Sequence, residues 1–262
     1  MSHLSFSSIV LLGCLAGFTI YLGLPFAFVT SKNFRTFANA LSVGVLFFIL
    51  IDILSKAFDD TKDRVFDSLT HHLFLQNGFP AMIILILGVA GAYLGLVFFE
   101  KRWIRTGSHD PKSLALIIAI GIGLHNFSEG LAIGQELMKG AMALGFLLVV
   151  GFALHNATEG FGIISPLAGE KPSLPFLFWL GMIGGGPTVI GTVIGESFKH
   201  PMLETFCLAL ASGAIFYVIG ELSHIGRSKG SHVVVASGML VGLFLAFGSD
   251  VLVDAAQSLF HH

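Results

Sequence analysis

Two short stretches, His125-Asn126-Phe127-Ser128-Glu129-Gly130 and His155-Asn156-Ala157-Thr158-Glu159-Gly160, carry the donor atoms best suited to chemistry in this chain. In each, histidine and glutamate stand four residues apart, so on a helix both side chains lie on one face. Neutral imidazole and carboxylate together suit a borderline divalent cation such as zinc. Both stretches sit in sequence apolar enough to cross a bilayer, where ionisable side chains are costly and mark functional sites. Two such faces turned toward each other would supply two imidazoles and two carboxylates. A pair of merely hydrogen-bonded buried histidines would not need the matching glutamates.

Such faces need long apolar helices to carry them. Charged residues make up 11% of the 262-residue chain. A soluble domain needs about 25% to stay wetted, so most of this surface is expected to meet lipid. The 26 phenylalanines and 32 glycines agree, since glycine lets membrane helices approach closely. A net charge of -2 argues against nucleic acid as a partner. At about 20 apolar residues per crossing, eight segments stand out, near 6–29, 37–54, 80–99, 114–137, 141–167, 175–194, 203–222 and 233–253. The expected fold class is therefore an all-α integral membrane protein, a single transmembrane domain over 1–262. The first segment reads as a retained membrane helix rather than a secretory signal, because no Lys or Arg precedes it. Cys14 and Cys207 stand alone in apolar runs and read as free thiols.

Segments four and five carry the motifs, and only a few residues around Lys139 separate them, so they are expected to form an antiparallel hairpin. Lysine and arginine in the connections set the orientation. With the N-terminus outside, nine fall on the inner side, among them Lys32, Arg35, Lys101 and Lys112, against five outside. Both termini are then extracytoplasmic. The outer connection after segment two holds Asp59, Asp60, Asp63, Asp67, His71 and His72, which is either a cation-gathering mouth or an ordinary solvated loop. A shift of 169 residues lays 37–47 on 206–216, Asp52 on Glu221, and Gly17-Phe18-Thr19-Ile20 on Gly186-Pro187-Thr188-Val189. The copies lie five crossings apart and so face opposite ways, as inverted repeats do. The expected arrangement is 3+2+3, with repeat one near 6–100, the metal hairpin near 112–167 and repeat two near 175–255. Asp52 and Glu221 would sit at opposite ends as entrance and exit stations, with His224 one turn beyond Glu221. Asp250 and Asp254 are expected to face water or cap a partner helix.

The doubled His-Asn-x-x-Glu-Gly motif on successive membrane helices of an eight-helix chain resembles the ZIP (ZRT/IRT-like) family of divalent metal transporters, over essentially the whole chain. The resemblance implies a transporter and not an enzyme, with a two-metal site midway across the membrane on helices four and five. Carried over by position, one metal takes His125, Glu129, His155 and Glu159. A second takes Asn126 and Asn156, with the two glutamates bridging; amide oxygens are the harder, weaker donors there. Gly130 and Gly160 would leave room for close packing of the hairpin. One departure stands out. The family often has a further glutamate on helix six, and here Thr188 stands at that place, with Glu196 about two turns further on. Many members also carry a long histidine-rich loop between helices three and four. This chain has only His109 in a short connection, so metal sensing by that loop is not expected. His261 and His262 carry no weight.

The resulting expectation is a multi-pass protein of the cytoplasmic (inner) cell membrane that moves zinc, or cadmium, iron(II) or manganese, toward the cytosol. Its partners are the metal ion, the bilayer and a second copy of the chain if it dimerises. No cofactor is expected apart from the transported metal. The alternative is a membrane-embedded metal-dependent hydrolase using one glutamate as its base, although neither motif contains His-Glu-x-x-His. A third reading is a metal-binding receptor without flux.

Overall fold

The structure, a computed structural model, describes residues 4–103, 110–167, 170–197, 201–229 and 231–260. His109, His261 and His262 lie outside the described residues, as do the side chains of Glu196 and Asp254. Among the described residues every regular element is helical. The helices are α1 (Phe6–Gly17), α2 (Lys32–Thr70), α3 (Phe79–Trp103), α4 (Pro111–Met138), α5 (Met142–Ile164), α6 (Leu174–Ser197), α7 (Pro201–Lys229) and α8 (His232–Phe260). Eight stretches among the described residues are long and apolar enough to cross a membrane, so the chain is read as a multi-pass membrane protein. Large apolar side chains such as Leu87, Phe98, Phe244 and Leu252 lie exposed on its outer faces, as lipid contact requires.

Local chemistry sets the ends of these helices. The Ser5 hydroxyl accepts from the N–H of Ser8 at 3.2 Å and starts α1. The first crossing is not one helix over 6–29. It passes after Gly17 into two tighter 3-10 turns, Phe18–Leu22 and Leu24–Phe28, where Pro25 cannot donate a backbone hydrogen bond. Asp110 caps α4, accepting from the N–H groups of Lys112 and Ser113 at 3.3 Å and from the Ser113 hydroxyl at 2.8 Å. That hydroxyl, with the two N–H groups, holds the Asp110 carboxyl below the usual aspartate value. Between α4 and α5 the chain reverses through Gly140, at φ +78°, so the motif hairpin forms as its short connection requires.

The largest departure from the sequence expectation is α2. Its 39 residues run about 58 Å at 1.5 Å per residue, well past the expected end near residue 54. Asp59, Asp60, Asp63 and Asp67 therefore stand on a continuous helix and not in a loop; His71 closes it and His72 follows at φ +59°. The acidic stretch stays helical because its charges alternate at one-turn spacing. Lys56 pairs with Asp52 at 2.7 Å, Lys62 with Asp59 at 2.9 Å, Arg64 with Asp60 at 3.0 Å and His71 with Asp67 at 3.5 Å.

Helix α4 forms the centre, with 72% of its most apolar window buried, whereas α3 and α8 are the least buried and lie at the periphery. Its most extensive partner is α6, not α5. Gly130 and Gly160 do not serve the hairpin itself. A side chain at Gly130 would strike the Thr188 carbonyl of α6, and one at Gly160 would strike Ile20 and Gly23 in the turns after α1. Each glycine thus seats the hairpin against a flanking element. The main core gathers Ile20, Leu46, Ile118, Ile122, Ile163, Leu167 and Leu222. A smaller one joins α1, α4 and α5 through Ile9, Leu12, Ile133 and Val149.

Candidate metal centre

Helical spacing puts His125 and Glu129 one turn apart on α4, and His155 and Glu159 one turn apart on α5. The close hairpin then turns the two faces together. His125 Nε2 lies 3.0 Å from Glu129 Oε1 and 3.7 Å from Glu159 Oε1, and His155 Nε2 contacts the same Glu129 Oε1. The two imidazole rings sit 6.4 Å apart between centroids. Ligand atoms of His125, Glu129 and His155 all lie within 4.8 Å of one another, close enough to hold one metal ion. Small shifts would bring them to the 2.0–2.2 Å bonds that imidazole and carboxylate make to zinc. His125, Glu129 and Glu159 are buried, and the ring of Phe152 flanks His155 at 5.5 Å.

The asparagines are placed with equal care. Asn126 Nδ2 donates to the Gly184 carbonyl of α6 at 3.0 Å, and Asn156 Nδ2 donates to the Ala16 carbonyl of α1 at 3.2 Å. Each amide therefore spends its donors on a neighbouring backbone and points its oxygen elsewhere. Asn126 Oδ1, Asn156 Oδ1, Glu129 Oε2 and both carboxylate oxygens of Glu159 are buried without a hydrogen-bond partner, as is the Thr188 hydroxyl. Buried acceptors left unpaired are costly. Such oxygens carried by α4 and α5 around the motif residues fit a site built for a cation. Thr188 lies one turn along α6 from Gly184 and is fully buried, where a carboxylate would have been the stronger donor.

A cavity of about 360 Å³ leads from this centre to one end of the bundle. His125, Glu129 and His155 line its floor, and Asp52, Lys56, Asp60, Glu204 and Asp250 line its walls. These wall residues come from the later part of α2 and α8 and the start of α7, which the alternating helices bring to one side. The opposite side is closed by the main core. Ile118 and Ile122 precede the motif on α4, and Ile163 and Leu167 follow it on α5. Leu46 and Leu222 complete that plug from α2 and α7.

Of the pathway residues expected from sequence, Asp52 lines the cavity and Thr188 is buried on α6 beside Gly17 of α1. Glu221 and His224 do neither; Glu221 is half-buried on α7 and His224 is exposed. Asp250, expected to face water or cap a helix, lines the open cavity. Its signal was present in the sequence as an ionisable residue inside an apolar span. Lys56 gave no such signal, since α2 was expected to end near residue 54, whereas Glu204 lay within the expected seventh segment and was not singled out. Cys14 and Cys207 are free thiols.

No protein-family model matches the chain, and no curated protein matches it.

Proposed function

We propose that this chain is a transporter of divalent metal, with zinc as the first candidate, in the manner of the ZIP family whose doubled motif it resembles. The observation that carries the reading is the convergence of two motif copies on one buried donor set, joined by a cavity to one end of the bundle and shut from the other by apolar side chains. A site reachable from one side at a time is what alternating access needs.

Packing supports the 3+2+3 inverted repeat. Gly44 of α2 lies so close to α8 that a side chain there would strike Met239, and Gly213 of α7 lies equally close to Val89 of α3. These glycines are 169 residues apart, the repeat spacing, and their partners exchange as a two-fold in the membrane plane demands. The asparagine anchors follow the same rule, one on α6 and the other on α1. In this reading both termini lie outside, the cavity opens outward, and metal moves toward the cytosol. Glu129 and Glu159 offset the charge of the cation, and the asparagine oxygens serve a second, weaker position beside it.

The test is uptake into proteoliposomes loaded with a metal-sensitive dye, with zinc, cadmium, iron(II) and manganese in competition. Saturable zinc uptake that His125→Ala abolishes supports the reading. Hydrolysis of an added lipid or peptide without any metal flux would move the site to the hydrolase alternative.

A further inference from the structure

Along α2 the residues Asp52, Lys56, Asp60 and Arg64 follow one another at four-residue spacing with alternating charge. An ordinary surface ladder of this kind faces open water and steadies its helix. This one faces inward, since Asp52, Lys56 and Asp60 all line the cavity that ends at the metal centre. Its two ion pairs are unlike each other. Asp60 is gripped by Arg64 through two nitrogens, at 3.0 and 3.2 Å, and also accepts from the Thr205 hydroxyl of α7. Asp52 is met by Lys56 alone within the ladder, at 2.7 Å, through a flexible primary ammonium whose side chain is 61% exposed. Among the described residues lining the cavity Lys56 is the one lysine or arginine, set against Asp52, Asp60, Glu129, Glu204 and Asp250.

Resting on the metal-transport reading, we infer that Lys56 is a tethered competitor for the incoming cation, occupying Asp52 until a divalent ion displaces it and thereby setting the affinity and charge preference of the entrance. The chemistry favours such an exchange. A part-exposed lysine–aspartate pair is weak, so a dication with two charges to offer outbids one ammonium for the same carboxylate, whereas a monovalent ion does not. Once displaced, the ammonium has Asp60 one turn further along, at the same spacing it had to Asp52. The guanidinium on Asp60, held by two nitrogens, stays in place and keeps α2 joined to α7 through Thr205.

The experiment measures zinc binding to the purified full chain and zinc uptake in proteoliposomes, for the wild type and for Lys56→Met, Lys56→Gln, Lys56→Arg and Asp52→Asn/Lys56→Met, each with and without excess potassium. Both neutral variants should bind zinc about three- to tenfold more tightly, with KM lowered in the same direction, and should lose part of their discrimination against potassium. Lys56→Arg, which keeps the charge, should stay at or above the wild-type Kd. The double variant should show no gain, because the freed carboxylate is gone. Unchanged Kd in Lys56→Met and Lys56→Gln, while His125→Ala still abolishes binding, would overturn the role of Lys56 and leave the metal centre standing. A wild type that binds no zinc would overturn the metal-transport reading and this inference with it.

Discussion

Glu129 faces two imidazoles at once, from its own helix and from α5. It is thus the residue on which the two motif copies meet. Glu129→Gln keeps the volume and removes the charge, and zinc affinity should fall on the order of 100-fold or more, as titration calorimetry on the purified protein would show. Protons compete for every donor of the set, so zinc affinity should also fall by about tenfold or more on going from about pH 7 to about pH 5. An affinity flat across that range would remove the histidines and glutamates from the first coordination sphere. Thr188 offers the reverse experiment. Thr188→Glu places a carboxylate where a buried, partnerless hydroxyl now stands on α6, and should raise the number of zinc ions retained per chain, as metal analysis after gel filtration would show. At this scale the sequence was most readable. The spacing of His125, Glu129, His155 and Glu159 needs nothing but helical geometry to become a site. The roles of Gly130 and Gly160 were misread, because spacing says that a helix approaches closely and not which helix does so.

Among the elements, α2 shows what hydropathy cannot report. An apolar window ends near residue 54, yet the helix continues because its alternating charges pair with one another, while the Thr61 and Ser68 hydroxyls donate to the carbonyls of Ala57 and Val65 one turn back. Composition marks where lipid ends and leaves the end of the helix undetermined. The same helix carries Asn39, which donates to the Leu222 carbonyl of α7 at 2.9 Å and accepts from the Ser165 hydroxyl that follows α5 at 2.5 Å. Three residues further along α2, Ser42 donates to the Thr158 carbonyl at 2.7 Å. These bonds tie three helices together on the closed side. Asn39→Leu strands the Ser165 hydroxyl and the Leu222 carbonyl, and should lower stability by about 1–3 kcal/mol. A thermal melt in detergent reads that loss. Asp110 acts on α4 in a smaller way. Its carboxyl is held below the usual value in the folded chain, so its contribution is present above the unfolded aspartate pKa and disappears as pH falls through the folded one.

The whole molecule is asymmetric about its centre, open on one side and packed on the other. Eight crossings return the chain to the side where it began, so the cavity mouth and both termini should share one face. Ala132 lines the cavity and carries no donor atom in its side chain. Ala132→Cys, in a background without Cys14 and Cys207, should react with a charged, membrane-impermeant thiol reagent from the face that carries the termini and not from the other. Labelling from the opposite face would reverse the sidedness. The side of the termini and an entrance near Asp52 were read from the sequence, but not which core residues seal the other side, because that depends on how α2, α7 and α8 lean against the hairpin.

The bonds from Asn126 and Asn156 to neighbouring backbone explain a choice of side chain that charge alone would not favour. Aspartate at either place would attract a cation more strongly, but it would set oxygen against the carbonyl of Gly184 or Ala16 and repel the flanking helix. Only a short amide can fasten itself with one end and offer a lone pair with the other. Neutrality at these two positions is therefore a condition of anchorage, and the charge a dication needs must come from the glutamates one turn away.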